Sequence, residues 1–176
     1  MRALADEARI RRFMHELGRA ARHPARVYLT GGATAVLSHW RGSTIDIDLK
    51  LVPDDDTLLR AIPELKESLQ VNVELAAPSD FIPVRDGWEE RSRFIAQEGP
   101  LAFYDYDLTA QALSKIERGH AQDLDDVREM IRRGLVQPSL LRETFDAIEP
   151  QLYRYPAVDP ASFRASVEDL LRSLGG

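Results

Sequence analysis

Residues 26–52, RVYLTGGATAVLSHWRGSTIDIDLKLV, decide the fold, because they hold a strand, a glycine turn, a short helix and a second strand in that order. In the second strand the run Ile45-Asp46-Ile47-Asp48-Leu49 alternates with period two. Ile45, Ile47 and Leu49 are therefore expected on one face, with Asp46 and Asp48 on the other. Residues two apart on a strand are roughly 6.5 to 7 Å apart, so the two carboxylates can converge on one cation. Two such anions repel one another unless something positive sits between them. Mg²⁺, a hard ion satisfied by one or two carboxylates and substrate phosphates, removes that repulsion.

The first strand, Val27-Tyr28-Leu29-Thr30, stops at Gly31-Gly32, and residues 33–40 read as a helix of about two turns. Glycine lets backbone approach a ligand closely, and a helix opening there offers free N–H groups to an anion such as phosphate. The glycine turn and the first aspartate lie only 14 residues apart, Gly32 to Asp46. Neither motif alone is specific, but their succession is.

This succession resembles the nucleotidyltransferase fold, the DNA polymerase β-like superfamily, with its GG or GS turn followed by an hDhD strand. Within it the chain is most similar to bacterial minimal enzymes related to the AbiEii-type toxins of toxin–antitoxin pairs. Those carry an R-x-S/T-x-D-x-D motif, which Arg41, Thr44, Asp46 and Asp48 resemble with one more residue after the arginine, R-x-x-T-x-D-x-D. The resemblance implies an α+β nucleotidyltransferase fold, a small mixed β-sheet flanked by helices with a C-terminal helical segment. It implies transfer of a nucleoside monophosphate from an NTP to a hydroxyl of RNA, protein or a small molecule, dependent on Mg²⁺ or Mn²⁺, with an antitoxin as partner. Asp46 and Asp48 would hold the metal, while Gly31, Gly32, Arg41 and Thr44 would hold the nucleotide. A third carboxylate on a neighbouring strand would be metal ligand or base; Glu74 is the candidate and Asp80 its rival. The segment ALSKIERGHAQDLDDV, residues 112–127, resembles the downstream K…RG…D-L-x-D segment of the toxin-like enzymes. It implies that Lys115 faces the phosphates and Asp123 closes the motif, with Asp126 one turn on.

A chain of 176 residues suits one domain with a real core. The expected organisation is a helix in 1–24 packing on a core at 25–106, followed by a helical segment at 107–176, all one globular unit. The absence of cysteine rules out disulfides, thiolate zinc sites and cysteine catalysis. His15, His23, His39 and His120 show no ligand spacing. With no run of about 18 apolar residues and no signal-type apolar core, a soluble cytoplasmic protein without membrane contact is expected. The net charge of −6 argues against coating nucleic acid by bulk electrostatics. Residues 1–26 nevertheless hold seven arginines against Asp6, Glu7 and Glu16, either a local basic face or a solvated helix surface.

Residues 4–21 read as a helix with Leu4, Ile10, Phe13, Met14 and Leu17 in one stripe. Asp54, Asp55 and Asp56 read as a helix cap rather than as further site acids, and Pro63 is expected to kink or restart that helix. Val71, Val73 and Leu75 should share a face opposite Asn72 and Glu74. A short helix in 88–93 precedes two hairpin strands, 93–97 and 101–105, joined through Glu98-Gly99-Pro100. Helices follow from Asp107 to Gly119 and from about Asp123 to Gly134, where Asp123 alone would be an N-cap. At least two more helices and a Tyr153-Arg154-Tyr155 corner complete the chain without visible chemistry. A different class of function is a catalytically silent nucleotidyltransferase fold kept as a binding or regulatory module. Two departures from the family's pattern keep it as the alternative: a third carboxylate that is a glutamate or lies elsewhere, and the lack of an obvious flanking basic region for tRNA.

Overall fold

Five strands build one mixed sheet in the computed structural model, which describes residues 2–175, and burial alternates with period two along Asp46–Val52 and Leu101–Asp105. In chain order the elements are β1 (Ala5–Asp6), α1 (Glu7–Ala20), β2 (Ala25–Thr30), α2 (Gly32–Leu37), β3 (Ser43–Thr44), β4 (Asp46–Val52), α3 (Asp56–Leu69) and β5 (Asn72–Leu75). A 3-10 turn (Pro78–Asp80), α4 (Trp88–Arg91), β6 (Arg93–Glu98), β7 (Leu101–Asp105), α5 (Leu108–Arg118) and α6 (Ala121–Arg132) follow. The chain closes with α7 (Pro138–Ile148), a 3-10 segment (Glu149–Arg154) and α8 (Pro160–Leu174). The sheet runs β5-β4-β2-β7-β6, with β4/β5 and β2/β7 parallel and β2/β4 and β6/β7 antiparallel. This is an α+β architecture, as the sequence implies.

The chain forms two compact units, the first comprising residues up to Ala77 together with Ser92–Tyr106. Its core joins Ile10, Phe13, Met14 and Leu17 of α1 to the inward residues Val27, Leu29, Ile47, Leu49, Leu51, Val73 and Phe103 of the sheet, with Leu58 and Ile62 of α3. An isolated 14-residue helix is marginal in water, so α1 depends on those four side chains, each worth about 1.5–3 kcal/mol when buried. Asp105 ends β7 in the interior, where it accepts from Arg93 Nη2 at 2.9 Å and from Thr34 Oγ1 of α2 at 2.9 Å. Burial pushes the Asp105 carboxyl above its ordinary value, opposed by the Arg93 guanidinium and the Thr34 hydroxyl. These bonds fix α2, and with it the glycine turn, to the sheet.

The second unit comprises Pro78–Arg91 and Asp107 onward. Helix α5 is buried from Leu108 through Ile116, and it stops at Gly119, whose φ of 73° is left-handed. Asp107 caps it and also accepts from Arg91 Nε at 3.0 Å. Phe145 of α7 meets Phe163 of α8 edge to face at 4.9 Å between centroids. The Tyr155 hydroxyl donates to the Ser79 carbonyl at 2.7 Å, so the corner after the 3-10 segment anchors the Pro78–Asp80 turn.

Several boundaries differ from the sequence expectations. Helix α1 starts at Glu7, and Leu4 is 58% exposed. Ala5 and Asp6 pair instead with Thr44 and Ser43, and the Asp6 carboxylate caps the helix through Arg9 N–H at 2.9 Å. Ile45 is 69% exposed because it lies between β3 and β4, where the chain changes pairing partner, and so does not share the buried face of Ile47 and Leu49. Leu75, at the end of edge strand β5, is likewise exposed. Helix α2 ends at Leu37 rather than near Trp40, with His39 at a left-handed φ of 70°. Helix α3 runs through Pro63 without restarting, with the proline on its exposed side. Helix α6 begins at Ala121 with His120 at the cap, so Asp123 lies inside the first turn. Among the described residues, no helix is long and apolar enough to cross a membrane.

Candidate functional site

Strand β4 buries Ile47, Leu49 and Leu51 on one side, and this alternation leaves Asp46, Asp48 and Lys50 on the other. Register then composes the site. Asp48 stands opposite Thr30 on β2 and opposite Glu74 on β5, while Asp46 stands opposite Asn72. Asp46, Asp48 and Glu74 thereby each bring a carboxylate oxygen within 4.8 Å of the others. Asp46 and Asp48 are half-buried and Glu74 is exposed, so the cluster opens to solvent on the β5 side.

The glycine turn is built against this cluster. Gly31 has a left-handed φ of 64°, and a Cβ there would stand 2.9 Å from Asp48 Oδ2, so a side chain is opposed by both conformation and space. A Cβ at Gly32 would collide with Thr44 Oγ1 and approach Arg41 Nη1 to 3.1 Å. Gly31 therefore sits against the Asp48 carboxylate, and Gly32 against Thr44 and Arg41. The Thr44 hydroxyl donates to the Asp46 carbonyl at 3.1 Å, holding β3 to the start of β4. With only six residues in α2, it is this close packing, rather than a long helix dipole, that defines the turn.

Three anionic oxygens this close repel one another unless a cation intervenes. The donor set is all carboxylate, which suits hard ions such as Mg²⁺ or Mn²⁺ and not thiolate- or imidazole-seeking metals. On that chemistry the residues present fit a divalent ion.

Lys115, Asp123 and Asp126 lie in the second unit, on α5 and α6. Lys115 is 7% exposed rather than a surface lysine; its Nζ donates to Asp126 Oδ2 at 2.9 Å and lies 3.5 Å from Asp123 Oδ1. Arg118 Nε stands 3.4 Å from Asp123 Oδ2, so two cations and two anions balance locally. Asp80 belongs to the Pro78–Asp80 turn of that unit.

Two residues of the first unit were not singled out by sequence reading. Asn72 donates through Nδ2 to Asp46 Oδ1. Its signal was the same alternation that marked Glu74, two positions on. Lys50 continues the Asp46-Asp48 face of β4, and its signal was again period two.

The sequence model of a family described as a nucleotidyltransferase of unknown function (DUF6036) matches residues 8–163, from α1 into α8. No curated protein and no solved structure matches the chain.

Proposed function

Because the chain belongs to this nucleotidyltransferase family, we propose that it moves a nucleoside monophosphate from an NTP to a hydroxyl of RNA, protein or a small molecule. Mg²⁺ or Mn²⁺ would be held by Asp46, Asp48 and Glu74. The observation that carries this reading is the convergence of three carboxylates beside a glycine turn on one sheet face.

Gly31 and Gly32 let the triphosphate approach the backbone, Thr44 lines the same turn, and Arg41 supplies positive charge to the phosphates. The divalent ion, when bound, offsets phosphate charge and makes the acceptor hydroxyl more acidic. Glu74, the most exposed of the three acids, takes the proton from that hydroxyl. The acceptor oxygen then forms its bond to the α-phosphorus as the bond to the bridging oxygen breaks, and pyrophosphate leaves with that electron pair. Lys115 and Asp123 enter the proposal through the resemblance of residues 112–127. Their buried ion pairs support a role in holding α5 to α6 as well. The R-x-x-T-x-D-x-D form supports the narrower reading of a toxin restrained by an antitoxin partner, which a gene for a small DNA-binding protein beside this one would favour.

Incubating the protein with each α-³²P-labelled NTP, Mg²⁺ or Mn²⁺, and total cellular RNA, protein or metabolites tests the reading. Label is expected in one acceptor class. Nucleotide binding with no label in any fraction would favour a binding or regulatory module instead.

A further inference from the structure

Resting on the metal reading of the carboxylate cluster, we infer that Asn72 is a positioning residue for Asp46 and so sets the affinity of the site for its divalent ion. Asn72 faces Asp46 across the β4/β5 pair, and its Nδ2 donates to Asp46 Oδ1. The amide cannot usefully turn over. Arg2 Nη1, which can only donate, lies 3.4 Å from Asn72 Oδ1, and the Asp46 carboxylate, which can only accept, lies on the other side. Arg2 is itself held by Glu67 Oε1 at 3.2 Å. A chain of complementary groups, Glu67, Arg2, Asn72 and Asp46, thus runs from α3 through the N-terminal segment to the cluster.

The consequence is specific to one ligand. With Oδ1 engaged, Asp46 presents its other oxygen to a cation in a fixed direction, whereas a freely rotating carboxylate would lose rotamer entropy on binding. Across the same strands Asp48 faces a second acid, Glu74, so the cluster combines one amide-oriented ligand with a carboxylate pair. Groups that orient a metal ligand in this way change affinity on the order of 10- to 100-fold when removed.

The test is a Mn²⁺ titration without nucleotide, reading free Mn²⁺ by electron paramagnetic resonance, on the wild-type protein, Asn72→Leu, Asn72→Gln and Arg2→Met. Asn72→Leu keeps the volume and loses the donor, and its Mn²⁺ dissociation constant is expected to rise on the order of tenfold or more. Asn72→Gln should recover part of that loss, which a purely structural role would not require. Arg2→Met should give a smaller rise and decides the matter if Asn72→Leu does not fold. An unchanged Mn²⁺ affinity in folded Asn72→Leu, or in Arg2→Met where that variant decides, overturns the inference. Failure of the wild-type protein to bind Mn²⁺ overturns the metal reading itself, and with it the inference.

Discussion

Asp48→Asn should lower the rate of labelled transfer about a thousandfold, which corresponds to ~4 kcal/mol of transition-state stabilisation. The size follows from position. Asp48 stands opposite Glu74 in the β4/β5 register and beside the Gly31 turn. Its amide replacement is isosteric, so the core behind Ile47 and Leu49 is undisturbed and folding should survive. The loss should fall on kcat more than on nucleotide KM, because Asp46 and Glu74 remain to hold the metal through which the triphosphate binds. A single-turnover assay with labelled NTP checks this. A variant with wild-type rate would place the chemistry elsewhere.

Lys115→Met should have the largest effect on stability. Removing one partner of a buried ion pair costs about 3–5 kcal/mol, because the remaining charge stays buried. Here Asp126 would lose its 2.9 Å partner and Asp123 would keep only Arg118. Adding Asp126→Leu to Lys115→Met should restore most of the loss, since a buried pair replaced by apolar residues is often neutral. Urea denaturation of the single and double variants measures both effects. If Lys115→Met is as stable as wild type but binds nucleotide more weakly, the phosphate-facing role implied by the resemblance outweighs the structural one.

What was legible in the sequence was whatever depends on period and local turn chemistry. The Asp46-Asp48 face, the Gly31-Gly32 stop and the Gly119 helix end are all local. Alternation placed Glu74 on the polar face of its strand, while its candidacy as a third acid, with Asp80 as rival, came from the resemblance. The pairing of Ala5-Asp6 with Ser43-Thr44 could not be read, since two residues carry no periodic signal and their partner lies 39 positions away at Ala5 and Thr44. That pairing is also why Leu4 and Ile45, apolar and in phase with their neighbours, are exposed. The Gly32–Thr44 contact arises where the turn after β2 meets β3, a crossing that only the folded chain defines. The ion pairs of Lys115 joined residues already noted singly, but their partnership depends on how α5 packs on α6. Asn72 was placed on the polar face of its strand, yet its bond to Asp46 required the register of β4 against β5.

The claim that Asp46, Asp48 and Glu74 form a metal–nucleotide site is tested most directly by the melting temperature with and without Mn²⁺ and NTP. A ligand bound only by the folded state stabilises it by mass action, about 2.7 kcal/mol at a hundredfold excess over its dissociation constant. The wild-type protein should therefore melt several degrees higher when metal and NTP are added together, and the Asp46→Asn, Asp48→Asn double variant should show no such shift. A double variant that keeps the full wild-type shift would contradict the account, because metal and nucleotide would then bind without the carboxylates on which it rests.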